Sequence, residues 1–172
     1  GKWETSLLMG TYPELGPSRV MEMKFTYQTS RDALRSMQNQ VQRVFASASL
    51  YISRDDAQAQ KFTQLFSFLM ERFDYQIETS ITPSYSLLSH GVGDGRTFAI
   101  VYAAMCRRAG LDCRMVAGTK NGEAWYWNLI NEDGVYYHVD LLESWAAVYL
   151  NIVFLIRNAI FFNKDKKWAQ HK

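Results

Sequence analysis

The sequence predicts an α+β fold: a central buried helix packed on an antiparallel β-sheet, with additional helices N-terminal to it. Three observations carry this. From Asp94 to Gly110, Phe98, Val101, Tyr102 and Met105 recur at helical spacing while Ala99, Ala103 and Cys106 form a second, small-residue face. A helix apolar on two faces has to be covered on both. From Cys113 to Asp140, apolar and aromatic runs alternate with two Gly-containing turn signals, the pattern of antiparallel hairpins. Upstream, two long stripes at helical spacing supply further layers.

In chain order, residues 1–18 contain Gly10, Pro13, Gly16 and Pro17 and predict an extended, loop-like lead-in. Arg19 to Gln28 alternates through Val20, Met21, Met23, Phe25 and Tyr27 and predicts a strand. Ser30 is the N-cap expected for a helix running to about Ala46, with Leu34, Met37, Val41, Val44 and Phe45 on one face. Ser53 or Asp55 would start the next helix, whose core stripe is Phe62, Leu65, Phe66, Leu69 and Phe73. Ile81 to Ser89, containing Pro83, is expected as the loop leading into the central helix. Asp94 is a good N-cap for that helix, and Gly110 supplies the left-handed residue that ends it. Strands are expected over Cys113–Ala117, Ala124–Asn131 and Val135–Asp140. The turns between them fall at Thr119-Lys120-Asn121-Gly122 and Glu132-Asp133-Gly134.

Composition bounds the function. A chain of 172 residues with 48% hydrophobic and 15% aromatic residues is expected to form one domain with a real core. A net charge of +2 without a basic stripe argues against a nucleic-acid partner. Three scattered histidines and two cysteines seven positions apart lack metal-ligand spacing, so no metal or cofactor is expected. Two cysteines make no disulfide framework, and Cys106 and Cys113 are expected to be buried and structural. Residues 144–162 are strongly apolar but interrupted by Asn151, Arg157 and Asn158. That favours a buried unit or a homodimer contact over a membrane span. Gly1 has no methionine before it, so removal of an export signal or anchor is expected.

Five segments share an order and spacing: Gly93-Asp94, Phe98-Ala99, Arg107-Arg108-Ala109-Gly110-Leu111, Trp127-Asn128 and Tyr137-His138-Val139-Asp140. Residues 85–141 thereby resemble the core of the transglutaminase-like superfamily of papain-type thiol enzymes. The resemblance implies a papain-like transglutaminase fold. It also aligns the family's catalytic cysteine with Gly95, its histidine with Trp125 and its aspartate with Asp140. Family habit implies a bacterial, extracellular or envelope-attached protein, and leaves a cytoplasmic one open.

The chemistry of such a site needs a thiolate, an imidazole to take and return a proton, and a carboxylate to orient the imidazole. Gly95 has no side chain, and the indole of Trp125 has a donor but no basic nitrogen. Acyl transfer by that route is therefore blocked at two positions. Asp140 would be left needing a partner, and the Trp125 N–H is expected to supply one. Cys106 cannot stand in, since it lies about 16 Å along the helix from Gly95 at about 1.5 Å per residue. The phosphate-loop pattern also fails: Arg96 replaces its lysine and His90 its first glycine.

The expectation is therefore a catalytically inactive domain. It would bind a peptide, a glycan-peptide such as a cell-wall fragment, or a protein partner in the former substrate cleft. Trp125, Tyr126, Trp127 and Tyr137 would either offer that ligand an aromatic surface or fill the core around a closed cleft. Arg96 would meet a ligand carboxylate, and Tyr85 and His90 would reach the cleft from the preceding loop. The alternative is an amide hydrolase or acyl transferase that uses His138 or His90 with Asp140. A third class is a structural module of a larger envelope protein.

Overall fold

The computed structural model describes residues 6–13, 15–18, 20–26, 29–76, 83–144 and 169–170. The expected interior unit 144–162 lies outside them beyond Ser144. The chain opens on a hairpin of β1 (Ser6–Tyr12) and β2 (Val20–Thr26), paired antiparallel with Met9 opposite Met23. The lead-in is thus a strand through Tyr12, and only the turn after it keeps the loop character that Pro13, Gly16 and Pro17 predict.

Helix α1 (Arg31–Ser49) starts where Ser30 predicts, the Ser30 hydroxyl accepting from Ala33 N at 3.2 Å. Helix α2 (Gln58–Arg72) starts later than Ser53 or Asp55 predicts. The Asp56 carboxylate accepts from Ser53 N at 2.7 Å, which closes a turn ahead of the helix instead of capping it. Phe62, Leu65, Phe66 and Leu69 are all buried, as the stripe predicts.

The two-residue strand β3 (Asp74–Tyr75) pairs in parallel with β4 (Val92–Gly93). Between them stands a helix, α3 (Pro83–His90), where a loop was expected. Pro83 opens it, in the first turn, where its missing N–H costs no intrahelical hydrogen bond. Leu87 and Leu88 bury its inner face.

The central helix α4 (Gly95–Arg108) is capped by Asp94, which accepts from Thr97 N at 2.7 Å. Its two apolar faces are both covered: Phe98, Ala99, Val101, Tyr102, Ala103, Met105 and Cys106 are all buried. It packs on a sheet ordered β7 (Val135–Val139), β6 (Glu123–Glu132), β5 (Cys113–Lys120) and β8 (Ala169–Gln170), all antiparallel. Strand β5 runs three residues further than expected. The turn is only Asn121-Gly122, with φ of 55° and 86°, and Asp133-Gly134 repeats it at 50° and 86°. Such two-residue turns match the twist of the flanking strands and so let them pair to their ends.

Candidate functional site

Strand alternation sorts the site residues onto two faces of the sheet. Asn128 is fully buried and donates from Nδ2 to Ala99 O of α4 at 2.8 Å, so even-numbered β6 residues face that helix. Tyr126 is among them, and the Arg96 guanidinium lies over its ring at 5.8 Å. Trp125 and Trp127 occupy the opposite face.

On that face Trp125 Nε1 donates to Asp140 Oδ2 at 2.7 Å. The indole thus supplies the donor that Asp140 was expected to need. Glu143 N donates to the other carboxylate oxygen, Oδ1, at 3.0 Å, and Ser144 N bonds Asp140 O at 3.1 Å. Asp140 is therefore the N-cap of a helical turn over residues 141–144. This is why β7 ends at Val139, one residue short of expectation.

Lys120 completes the cluster. Its Nζ lies 3.1 Å from Glu143 Oε2, 4.0 Å from Asp140 Oδ2 and 4.5 Å from the centre of the Trp125 ring. Burial raises the Asp140 pKa; the bonds from Glu143 N and Trp125 and the charge of Lys120 pull it back down in part. The sign follows. A raised folded-state pKa contributes stability below the unfolded value, about 3.9, and that contribution is lost as pH rises through the folded value.

Gly95 joins the cluster through Leu142, on the turn that Asp140 caps. A Cβ placed on Gly95 would meet Leu142 Cδ2 at 3.2 Å and Leu142 Cβ at 3.6 Å. Leu142 supplies the three atoms nearest to where a side chain on Gly95 would begin.

Several expected cleft residues are placed differently. Trp127 is 1% exposed, so it is core and not a ligand surface. Its Nε1 donates to His138 Nδ1 at 2.8 Å, which fixes the ring proton on Nε2. Burial lowers the His138 pKa. Tyr137 packs against the hydrophobic core, because its position on β7 points it the same way as Val139. Tyr85 donates to Gln40 Oε1 of α1 at 2.5 Å and stands edge-on to His90, whose Nδ1 lies 3.3 Å from Ser86 Oγ. Once residues 83–90 form a helix, both side chains are engaged along α3 and α1.

Lys120, Leu142 and Glu143 also belong to the site. The signal for the last two was present: Asp140-Leu141-Leu142-Glu143 has capping-box spacing. Lys120 carries no such signal, since Thr119-Lys120-Asn121-Gly122 reads as a turn while the structure makes Lys120 the last residue of β5. Among the described residues, no group of three or more His, Cys, Asp or Glu is placed to hold a metal ion, and no helix is long and apolar enough to cross a membrane.

Removing the Asp140 carboxylate deletes the cap and leaves a half-buried indole N–H without its acceptor. Asp140→Ala is expected to cost about 2 kcal/mol. Asp140→Asn keeps one acceptor oxygen and so one of the two bonds, setting its NH2 against the other donor; it should cost less than Asp140→Ala. Urea denaturation measures both, and an Asp140→Ala protein as stable as the parent would contradict the cap.

Comparison with known proteins agrees with this architecture. The profile of the transglutaminase-like superfamily matches residues 46–170, and the chain belongs to that superfamily. No curated protein matches it. Among solved structures it is similar to one described as a TGase, with a TM-score of 0.51 and 12% identity over 66% of this chain and 34% of that one. It is also similar to a candidate cysteine protease from Cytophaga hutchinsonii, with a TM-score of 0.51 and 13% identity over 80% of this chain and 61% of that one. This chain therefore spans under two thirds of either relative's length. The fold is the papain-like α+β core that these structures share.

Proposed function

We infer that this domain is catalytically silent and acts by binding. One arrangement carries the reading. The nucleophile position is a glycine packed under Leu142, and the base position is an indole whose N–H is committed to Asp140. Neither the glycine nor the indole can form an acyl intermediate or move a proton through a basic nitrogen. His138 does not rescue the chemistry, because its Nδ1 already accepts from Trp127.

The ligand we propose is a peptide, a glycan-peptide or a protein segment that presents a carboxylate. The exposed Arg96, steadied over Tyr126, is the group to receive it. By family habit, the proposed location is the cell envelope or the extracellular space.

Two measurements test this. The wild-type chain should release no ammonia or amine from glutamine-containing or amide substrates; turnover that survives Asp140→Ala would end the degenerate-centre reading. Calorimetric titration with soluble cell-wall stem peptides should show binding that Arg96→Ala weakens roughly tenfold, the factor that about 1.4 kcal/mol corresponds to. Binding unaffected by that substitution would place the ligand elsewhere.

A further inference from the structure

The hairpin of β1 and β2 has an open face and an open edge. Met9 lies opposite Met23 and Thr11 opposite Met21, so strand alternation puts Met9, Met21 and Met23 on one face, where they are 62%, 56% and 53% exposed. The two strands form a sheet of their own, and among the described residues nothing pairs with the outer edge of β2. A two-stranded hairpin is marginally stable in water, whereas three or more strands sharing an apolar face hold together. An open edge presents N–H and C=O groups that accept a further strand. The charges of β2 select which strand fits. Glu22 and Lys24 are exposed on the face away from the methionines. The hairpin gives neither a counter-charge, because Gly10 lies opposite Glu22 and Leu8 opposite Lys24. Among the described residues, neither takes part in an ion pair.

We propose that β2 pairs with the same strand of a second copy of this chain, antiparallel about Met23, so that two hairpins form one four-stranded sheet. In that register Glu22 lies opposite Lys24 of the other copy, and Lys24 opposite its Glu22. Met23 lies opposite its own counterpart, and the two methionine faces join on one side of the sheet. The other self-registers fail. Pairing about Glu22 or about Lys24 sets like charges directly opposite, and a parallel pairing does so at both positions. Moving the axis by half a residue turns the methionine face of one hairpin to the charged face of the other. Strand β1 has no charged residue with which to fix such a register. The contact is two-fold, so it closes on itself as a dimer.

Sedimentation velocity on the whole chain tests this. The wild type should pass from monomer to dimer as its concentration rises. Glu22→Lys and Lys24→Glu should each weaken the dimer roughly tenfold or more, because both cross-strand charge pairs become repulsive. Mixed in equal amounts, the two variants should recover a dimer containing one copy of each. The double variant Glu22→Lys, Lys24→Glu should dimerise alone, since it exchanges the charges and keeps their complementarity. Recovery on mixing also shows that each single variant is folded. A wild type that stays monomeric at every concentration overturns the proposal. So does a dimer that both single reversals leave unchanged, or one that mixing the variants fails to restore.

Discussion

Replacing Trp127 with alanine is expected to lower folding stability by about 3–5 kcal/mol, the range for truncating a buried tryptophan. The side chain is 1% exposed, and its ring lies 6.2 Å from the His138 ring at 43°. Its Nε1–H is committed to His138 Nδ1. Truncation would remove packing and leave the imidazole without its donor. Trp127→Phe separates the two effects, because it keeps most of the packed ring and deletes only the N–H.

Burial already holds the His138 pKa below its ordinary value. The indole bond acts in the same direction, since an imidazolium has no acceptor to offer it. The neutral ring therefore contributes stability that is complete above the unfolded pKa of about 6.5 and is lost as pH falls through the folded value. With Trp127→Phe, the His138 pKa should rise toward 6.5 and that acid loss should shrink. An NMR titration of the ring measures the first and urea midpoints across pH measure the second. An unmoved His138 titration would show that the indole bond does not act on it.

How far the chain could be read in advance differs from element to element. The central helix was legible because its periodicity, its Asp94 cap and its terminal Gly110 all agree. The sheet was legible because Asn121-Gly122 and Asp133-Gly134 mark its hairpins. Helix α3 was not, because eight residues opened by a proline carry too little periodicity to distinguish helix from loop. In the site, the bond between Trp125 and Asp140 followed from chemistry alone: a buried carboxylate needs a donor, and the indole offers one. Leu142 beside Gly95 did not follow, because packing across the end of a helix depends on how the chain turns after β7. The burial of Trp127 and Tyr137 was open for a related reason. Aromatic residues suit a core and a ligand surface equally, and only the covering layers decide between them.

A cysteine at position 95 with a histidine at position 125 should give a reactive thiol. Gly95→Cys alone would push its side chain into Leu142, so the change needs Leu142→Ala beside it. Trp125→His then places an imidazole where the indole now donates to Asp140, with the carboxylate already held by Glu143 N. The helix N-terminus and the imidazolium both favour a thiolate. Cys106 and Cys113 are buried and will not compete with the new side chain for alkylation.

The deciding measurement is the pH dependence of iodoacetamide alkylation at position 95 in the Gly95→Cys, Trp125→His, Leu142→Ala protein. The account predicts a thiol pKa at least one unit below the free value of about 8.5, and alkylation near neutral pH roughly tenfold faster than without Trp125→His. An ordinary thiol pKa, indifferent to the residue at position 125, would contradict the claim that these positions are the remains of one catalytic centre.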